Sequence, residues 1–452
     1  MPSVNARFVY RVVSVGLAFL ILLQMFKLRQ SLGAWFVDRE YGSEPLCEAT
    51  GVRGLNDMLV VLKTGANEAR EKLPAHFDTT LRCVPHYVVY SDLEETIEGH
   101  HVYNVLDEVN PAILAQHPDF EYYRQLQAHG MEGFSAAQLA EWASAGNTRS
   151  GRDSPGWKLD KWKFLPMADK ALRHRPEAKW YIFVEAKWYI FVEADTFIIW
   201  KNVAKWLSHF DASKPYYMGL QMKIGEIVFG YGGAGVVLSH AALENLVEHR
   251  NTNLTFYDDF TSIHWAGDCV LGKVLKDAGV DLFWSWPTII SENPLAMDFE
   301  DSFGGNARKL WCHYAVTYHH LTTEEVLQLA DFEEEWNAQT TAMLRHKDIF
   351  RALVLPRIRP RYDDWDNLSD TEQGPGSGSF EECQQICEND PKCIQFSLTG
   401  RTCRTSPAIK LGRQHFASAG EAQVVSGWMV ERVHDFVKRM DASCHREEWV
   451  LP

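Results

Sequence analysis

A surplus of positive charge is what this sequence most plainly lacks. Across 452 residues, 45 Lys and Arg face 60 Asp and Glu, a formal charge of −15. Holding a phosphate backbone takes clustered cations, so a dedicated nucleic-acid binder is excluded and no nucleic-acid partner is expected. A low apolar share is missing too. With 46% apolar and 12% aromatic residues the chain is neither disordered nor fibrous. At roughly 150 residues per domain, its length suits one large domain and one small one around a sizeable core.

No small-x-small cleavage site follows the apolar N-terminal run, which extends from Val12 to Phe26 and is broken only by Ser14, Gly16 and Gln24. The run falls short of the roughly 20 residues that span a bilayer core. Snorkelling by Arg11 and Lys27, and inclusion of Phe8 and Leu28, extend it. The expectation is an uncleaved anchor at 12–28, after a tail at 1–11 and before a short stem at 29–50. Lys and Arg are balanced on the two sides, so charge does not set the orientation.

Two other features point to a secretory lumen. The sequons Asn253-Leu254-Thr255 and Asn367-Leu368-Ser369 are glycan acceptors there if exposed. Of nine cysteines, four crowd into Cys383, Cys387, Cys393 and Cys403, as in a module too small to stand on its own core. A zinc site is the rival reading, although the nine-residue last gap is odd for one. Cys47, Cys83, Cys269, Cys312 and Cys444 make an odd remainder, so one thiol stays free or pairs between chains.

Apolar runs at Met58–Gly65 and His86–Asp92 alternate with helical stretches, as in a parallel sheet covered on both faces. Ligands gather at the carboxyl ends of such strands, the side of Thr64, Gly65, Ser91 and Asp92. Lys158–Arg175 reads as a helix leading into a third run. That run holds a duplication: 177–184 is repeated as 185–192, and only the second copy continues into Glu193-Ala194-Asp195. The working strand is therefore expected at Trp188–Val192, with the first copy looped out, paired at an edge or extending the structure upstream. Near Arg357–Pro360 the periodicity fades, and 374–379 has the composition of a flexible linker, so a domain boundary is expected there.

Glu193 and Asp195 offer hard oxygen ligands suited to Mn²⁺, or to Mg²⁺ in its place, against a diphosphate; the plainer alternative is a helix-capping turn. Gly230-Tyr231-Gly232-Gly233-Ala234-Gly235 matches the dinucleotide glycine pattern formally. A strand-like Val236–Ser239 follows instead of a helix, so close approach of backbone to a bulky ligand is the better reading, beside a plain tight turn. Asp268 opens a helical stretch as a cap or as a general base. In the alternating run His313–His320, His319 and Thr317 share one face and His320 takes the other. Trp284 and Trp286 share a strand face, for core packing or for stacking on a sugar.

Together, Leu59–Gly65, Trp188–Thr196, Tyr231–Ser239, Gly267–Gly272 and Ala315–His320 resemble glycosyltransferase family 31, its core-1 beta-1,3-galactosyltransferase and Fringe branch, most closely fungal-type members. The resemblance spans roughly residues 57 to 325. It implies an α/β GT-A fold at 51–350 and inverting transfer of a galactose- or N-acetylglucosamine-type hexose, in beta-1,3 linkage, from a UDP-sugar to a glycan or glycoprotein hydroxyl. It further implies Mn²⁺ held by Asp195 and His319, Asp268 as base, and a donor lined by Thr64, Gly65, Glu193, Asp195, Gly232 and Gly233. A single-pass type II protein of the Golgi or ER membrane, with a lumenal catalytic domain, is the matching location. Where the family usually reads Asp-Asp-Asp, this chain reads Glu193-Ala194-Asp195; that departure and the duplication keep a decayed, binding-only membrane protein as the alternative. Beyond a linker at 351–379, residues 380–430 are similar to PAN/Apple modules, which implies Cys383–Cys403 and Cys387–Cys393 pairs and binding of protein or glycan. A tail at 431–452 closes the chain.

Overall fold

The computed structural model describes residues 54–139, 155–185, 196–304, 308–374, 378–418, 420–444 and 448–452, with backbone only at 184 and 185. The expected anchor, tail and stem lie outside these residues. Among the described residues no helix is long and apolar enough to cross a membrane.

Eight strands of the described residues form one mixed sheet: β1 Met58–Lys63, β2 Tyr87–Ser91, β3 Glu95–Ile97, β4 His100–Asn104, β5 Trp180–Glu185, β6 Tyr217–Gly219, β7 Val236–Ser239 and β8 Leu282–Trp284. Their order is β8-β6-β7-β5-β1-β2-β4-β3. β1 runs parallel to both β2 and β5, while β7 runs antiparallel between β5 and β6. A strand buried on both faces reads as a near-continuous apolar run, and β1 is apolar from Met58 to Leu62, with the buried Lys63 at its end. Its side chains alternate between two cores: Leu59 and Val61 face one, Met58, Val60 and Leu62 the other. Helix α1 (Ala66–Asp78) covers the second face through Ala69, Leu73 and Phe77. Helices α2 (Pro155–His174), α3 (His240–Thr252), α4 (Leu254–Ile263) and α5 (Gly267–Asp277) gather over the first.

The central strand β5 is the first copy of the duplicated octapeptide, and this corrects the expectation of Trp188–Val192. Trp180 pairs with Met58 on one side and Ser239 on the other. The reason is connection length: α2 ends at His174, and a short turn delivers Trp180 directly to the sheet. The second copy, with Glu193 and Asp195, lies outside the described residues.

The stretch 351–379 is no bare tether, contrary to the linker expectation. Phe350–Val354 is helical, with Phe350 and Val354 buried; Tyr362–Asp363 and Thr371–Glu372 are strands of a five-stranded C-terminal sheet whose centre is Val424–Trp428, Gln395–Thr399 and Thr402–Ser406. Helix α6 (Phe380–Asn389) packs on it through Phe380, Cys383 and Cys387, and the pairs Cys383–Cys403 and Cys387–Cys393 form as the PAN/Apple resemblance implied. Helix α7 (Val430–Ala442) turns Val433, Phe436 and Met440 onto Trp311 and Phe350, at a spacing that keeps them on one face. Cys312–Cys444 bonds its end to the main body. Ile394, Ile409, Leu411 and Trp428 join the same core, so the two parts share one apolar interior.

Candidate active site

β7 is antiparallel to β5, so the turn that enters β7 lies at the end where β1, β2 and β5 leave the sheet. That turn is a single 3₁₀ turn, Gly232–Ala234, followed by a strand. No helix opens there, which removes the dinucleotide reading of the glycine pattern. The turn brings the candidate residues together. Gly232 N–H donates to Asp268 Oδ2 at 3.1 Å. Thr196 Oγ1 donates to the carbonyl of Gly233 at 2.9 Å and lies 2.9 Å from His319 Nδ1. His319 is fully buried, and Tyr231 meets its ring edge-on at 5.8 Å. A Cβ at Gly233 would fall 2.4 Å from His319 Nε2. The glycine is required there because the backbone is pressed against the imidazole.

His319 does not sit on a continuous strand. Of the run His313–His320, Thr317–Tyr318 forms a two-residue strand paired with Phe197 and Ile198, His313 and Tyr314 make isolated bridges to Glu448 and Arg345, and His320 turns the chain with φ 60°. Tyr318 is instead anchored from behind. Its hydroxyl donates to His346 Nδ1 at 2.8 Å while His346 Nε2 donates to Pro287 O at 2.8 Å. That pair of bonds calls for a neutral imidazole.

Asp268 lies in the first turn of α5, whose N-cap is Ala266, so it is not the cap. It is buried, and Oδ1 accepts from Cys269 N–H at 2.9 Å. Cys269 is the free cysteine of the described residues; burial first, then the Asp268 charge, pushes its thiol up to about 12. It is therefore protonated and unreactive.

Thr64 and Gly65 stand at the carboxyl end of β1. Lys163 Nζ donates to Thr64 O at 2.9 Å and lies 3.7 Å from Asp92 Oδ1, which accepts from Ala66 N–H at 2.6 Å. Asp92 Oδ2 is buried without a hydrogen-bond partner among the described residues. Burying a carboxylate oxygen unsatisfied is costly, so this one marks a place where a ligand group can donate. Helix α2 links this group to Asp268: Lys163 reaches Thr64, while a Cβ on Gly267 would strike Phe164 at 2.3 Å and the Lys161 backbone at 2.8 Å. Sequence reasoning missed Lys163 and Thr196. A lysine inside a helix and a threonine beside a carboxylate carry no local signal of burial.

Glu193 and Asp195 lie outside the described residues. Among the described residues no three His, Cys, Asp or Glu gather as a metal cluster. Trp284 and Trp286 do stack, at 6.1 Å and 18°, with the Arg308 guanidinium 5.2 Å over Trp284. A cavity of about 870 Å³ opens at the opposite end of the strands beside Met58, Trp180 and His240, and no candidate residue lines it.

Residues 166–291 match the family model described as Fringe-like. Over that stretch the chain is similar to the Fringe-like family. A stretch of 209 residues is 27% identical to glycoprotein-N-acetylgalactosamine 3-beta-galactosyltransferase 1 of Xenopus laevis, covering 41% of this chain and 52% of that protein. The chain thus spans about half the length of the curated relative it matches. Within the Fringe-like match fall β5, the Gly232-Gly233 turn and Asp268; Thr64, Gly65 and His319 lie outside it.

Proposed function

We propose that this chain is an inverting glycosyltransferase that moves a galactose- or N-acetylglucosamine-type hexose from a UDP-sugar to a glycan or glycoprotein hydroxyl, in beta-1,3 linkage. The observation that carries the reading is the Gly232-Gly233 turn, which touches Asp268 with one glycine and His319 with the next.

Each group has a task. Asp268, held by the Gly232 N–H, takes the proton of the attacking acceptor hydroxyl, a step that general-base catalysis speeds about 10²- to 10⁴-fold. Thr64, Gly65 and the unpartnered oxygen of Asp92 receive the donor's nucleoside, and the glycine turn lets its phosphates approach the backbone. His319 fits a metal: Thr196 fixes the ring through Nδ1 and turns Nε2 to the cradle that a Cβ on Gly233 would fill. His319 and Asp195 would hold Mn²⁺, or Mg²⁺, and Glu193 would stand beside them. Bound there, the ion supplies charge neutralisation at the leaving diphosphate.

Three disulfides among the described residues support an oxidising compartment. With the apolar 12–28 segment they support a type II protein of the Golgi or ER membrane, its catalytic part lumenal. We read the C-terminal sheet and its two bridges as a PAN/Apple-like module that binds protein or glycan.

Two features favour a binding-only protein: Glu193-Ala194-Asp195 stands where the family usually reads Asp-Asp-Asp, and the duplicated octapeptide directly precedes it. UDP with Mn²⁺ separates the two readings. A raised melting temperature, lost in Asp195→Ala together with transfer, supports the enzyme; no shift at millimolar ligand supports the binding-only protein.

A further inference from the structure

Four near-parallel ring contacts run along α4 and stop beside Asp268. Phe256 stacks on Phe260 at 6.5 Å and 18°, Phe260 on His264 at 5.2 Å and 23°, His264 on Trp265 at 6.3 Å and 10°, and Trp265 on Trp157 at 6.1 Å and 15°. The first three rings recur every fourth residue, so they climb one side of the helix over about 12 Å. The strip is open to solvent: Phe256 is 54% exposed and Trp265 42%. Its lower end is rigid. Trp157, Lys161 and Phe164 lie on one side of α2, and the bare Gly267 lets α5 press directly on Lys161 and Phe164. Polar groups flank the rings, with Lys161 Nζ donating to Ser262 O at 2.9 Å and His117 Nε2 lying 2.8 Å from Ser262 Oγ.

Trp265 precedes Asp268 by three residues, which limits their Cα separation to about 11 Å. A hydroxyl deprotonated by Asp268 belongs to a sugar, and the rest of that sugar must lie against whatever borders the carboxylate. Flat rings beside hydrogen-bonding groups suit the C–H face and rim hydroxyls of a pyranose.

Resting on the transferase reading, we propose that the Trp157–Trp265 stack and the strip beyond it bind the saccharide of the acceptor and set its approach to Asp268. Trp265 is then a specificity residue, and Phe256 meets only acceptors longer than one sugar.

The test uses the full chain and methyl glycosides of galactose, N-acetylgalactosamine, N-acetylglucosamine and fucose, followed by saturation-transfer NMR from the aromatic protons and by transfer kinetics. At least one glycoside should receive saturation in the wild type and in Asp268→Asn, lose it in Trp265→Ala and keep part of it in Trp265→Phe, with melting temperatures unchanged. The acceptor KM should rise about three- to tenfold in Trp265→Ala while the shift given by UDP and Mn²⁺ persists. No saturation in the wild type, or undiminished saturation in Trp265→Ala, overturns the proposal. So does sedimentation with phosphatidylcholine vesicles that Ile263→Ser abolishes, without glycoside binding, since Ile263 is 86% exposed on the same helix. Glycoside binding without turnover of any UDP-sugar would instead sink the transferase reading and leave the strip standing.

Discussion

Gly233 and His319 occupy one volume: any side chain on the first would stand in the place of the second's Nε2. Turn and imidazole therefore change together. Gly233→Ala should displace His319, cost about 1–3 kcal/mol as an overpacked core does, and remove the Mn²⁺-dependent part of UDP binding. Thr196→Val should weaken that binding with a smaller loss of stability, because it frees the ring without crowding it. Melting curves with and without UDP and Mn²⁺ measure both; equal metal response in all three chains would remove His319 from the donor site.

Asp268→Asn should keep the donor-induced shift and lose about 10²- to 10⁴-fold in turnover. The asparagine carbonyl can still accept from Gly232 N–H, so the turn stays in place while the base is gone. A rate within a few-fold of wild type would assign the base elsewhere.

The strand that completes the sheet is the first copy of the octapeptide, so removing Ala186–Glu193 leaves β5 whole and joins Glu185 to Ala194-Asp195. This shortened chain should fold at least as stably and bind UDP with Mn²⁺ at least as tightly. It also loses a spare Trp-Tyr-Ile-Phe-Val segment prone to aggregation. A shortened chain that fails to fold would show that the second copy is structural.

Burial holds His346 down at about 3. Its unfolded counterpart takes up a proton near 6.5, so the folded state loses ground as pH falls from about 6.5 toward 3, by up to about 1.4 kcal/mol per pH unit. Above 6.5 this contribution is fully present and flat. His346→Gln, which can keep bonds to Tyr318 and Pro287, should flatten the fall in melting temperature between neutral and mildly acid pH. An unchanged slope would locate the acid sensitivity in other groups.

The two sequons part company in the fold. Asn253 is exposed between α3 and α4, whereas Asn367 is fully buried, its amide donating to Phe396 O at 3.1 Å and Gly427 O at 3.4 Å. Expressed through the secretory pathway, the chain should carry one N-glycan, lost in Asn253→Gln as read by the mobility shift on N-glycosidase treatment. Asn367→Gln should leave that shift in place and destabilise the C-terminal sheet instead.

Much of the site end was legible because burial leaves a pattern. β1 and β2 announce themselves as apolar runs that turn polar only at Lys63 and Ser91, and Gly232-Gly233, Asp268 and His319 stand out by residue type. The choice between two identical strands was not legible, since both copies have the same propensity and only the distance from α2 decides. Nor was the merging of the C-terminal module with the main body. The glycine- and serine-rich 374–379 segment hides the burial of Val354 before it and of Val433 and Phe436 after it. Lys163 and Thr196 act through partners 99 and 123 positions away, which no local window reaches.

The Cys312–Cys444 bond clasps a segment six residues upstream of Tyr318 to the end of the last long helix. A chain cut between Val354 and α7 would bare Trp311, Phe350 and the histidine-bearing loop to water at once. The small C-terminal unit is thus a keystone and not a pendant, and neither half can be traded for a relative's version without recutting the other.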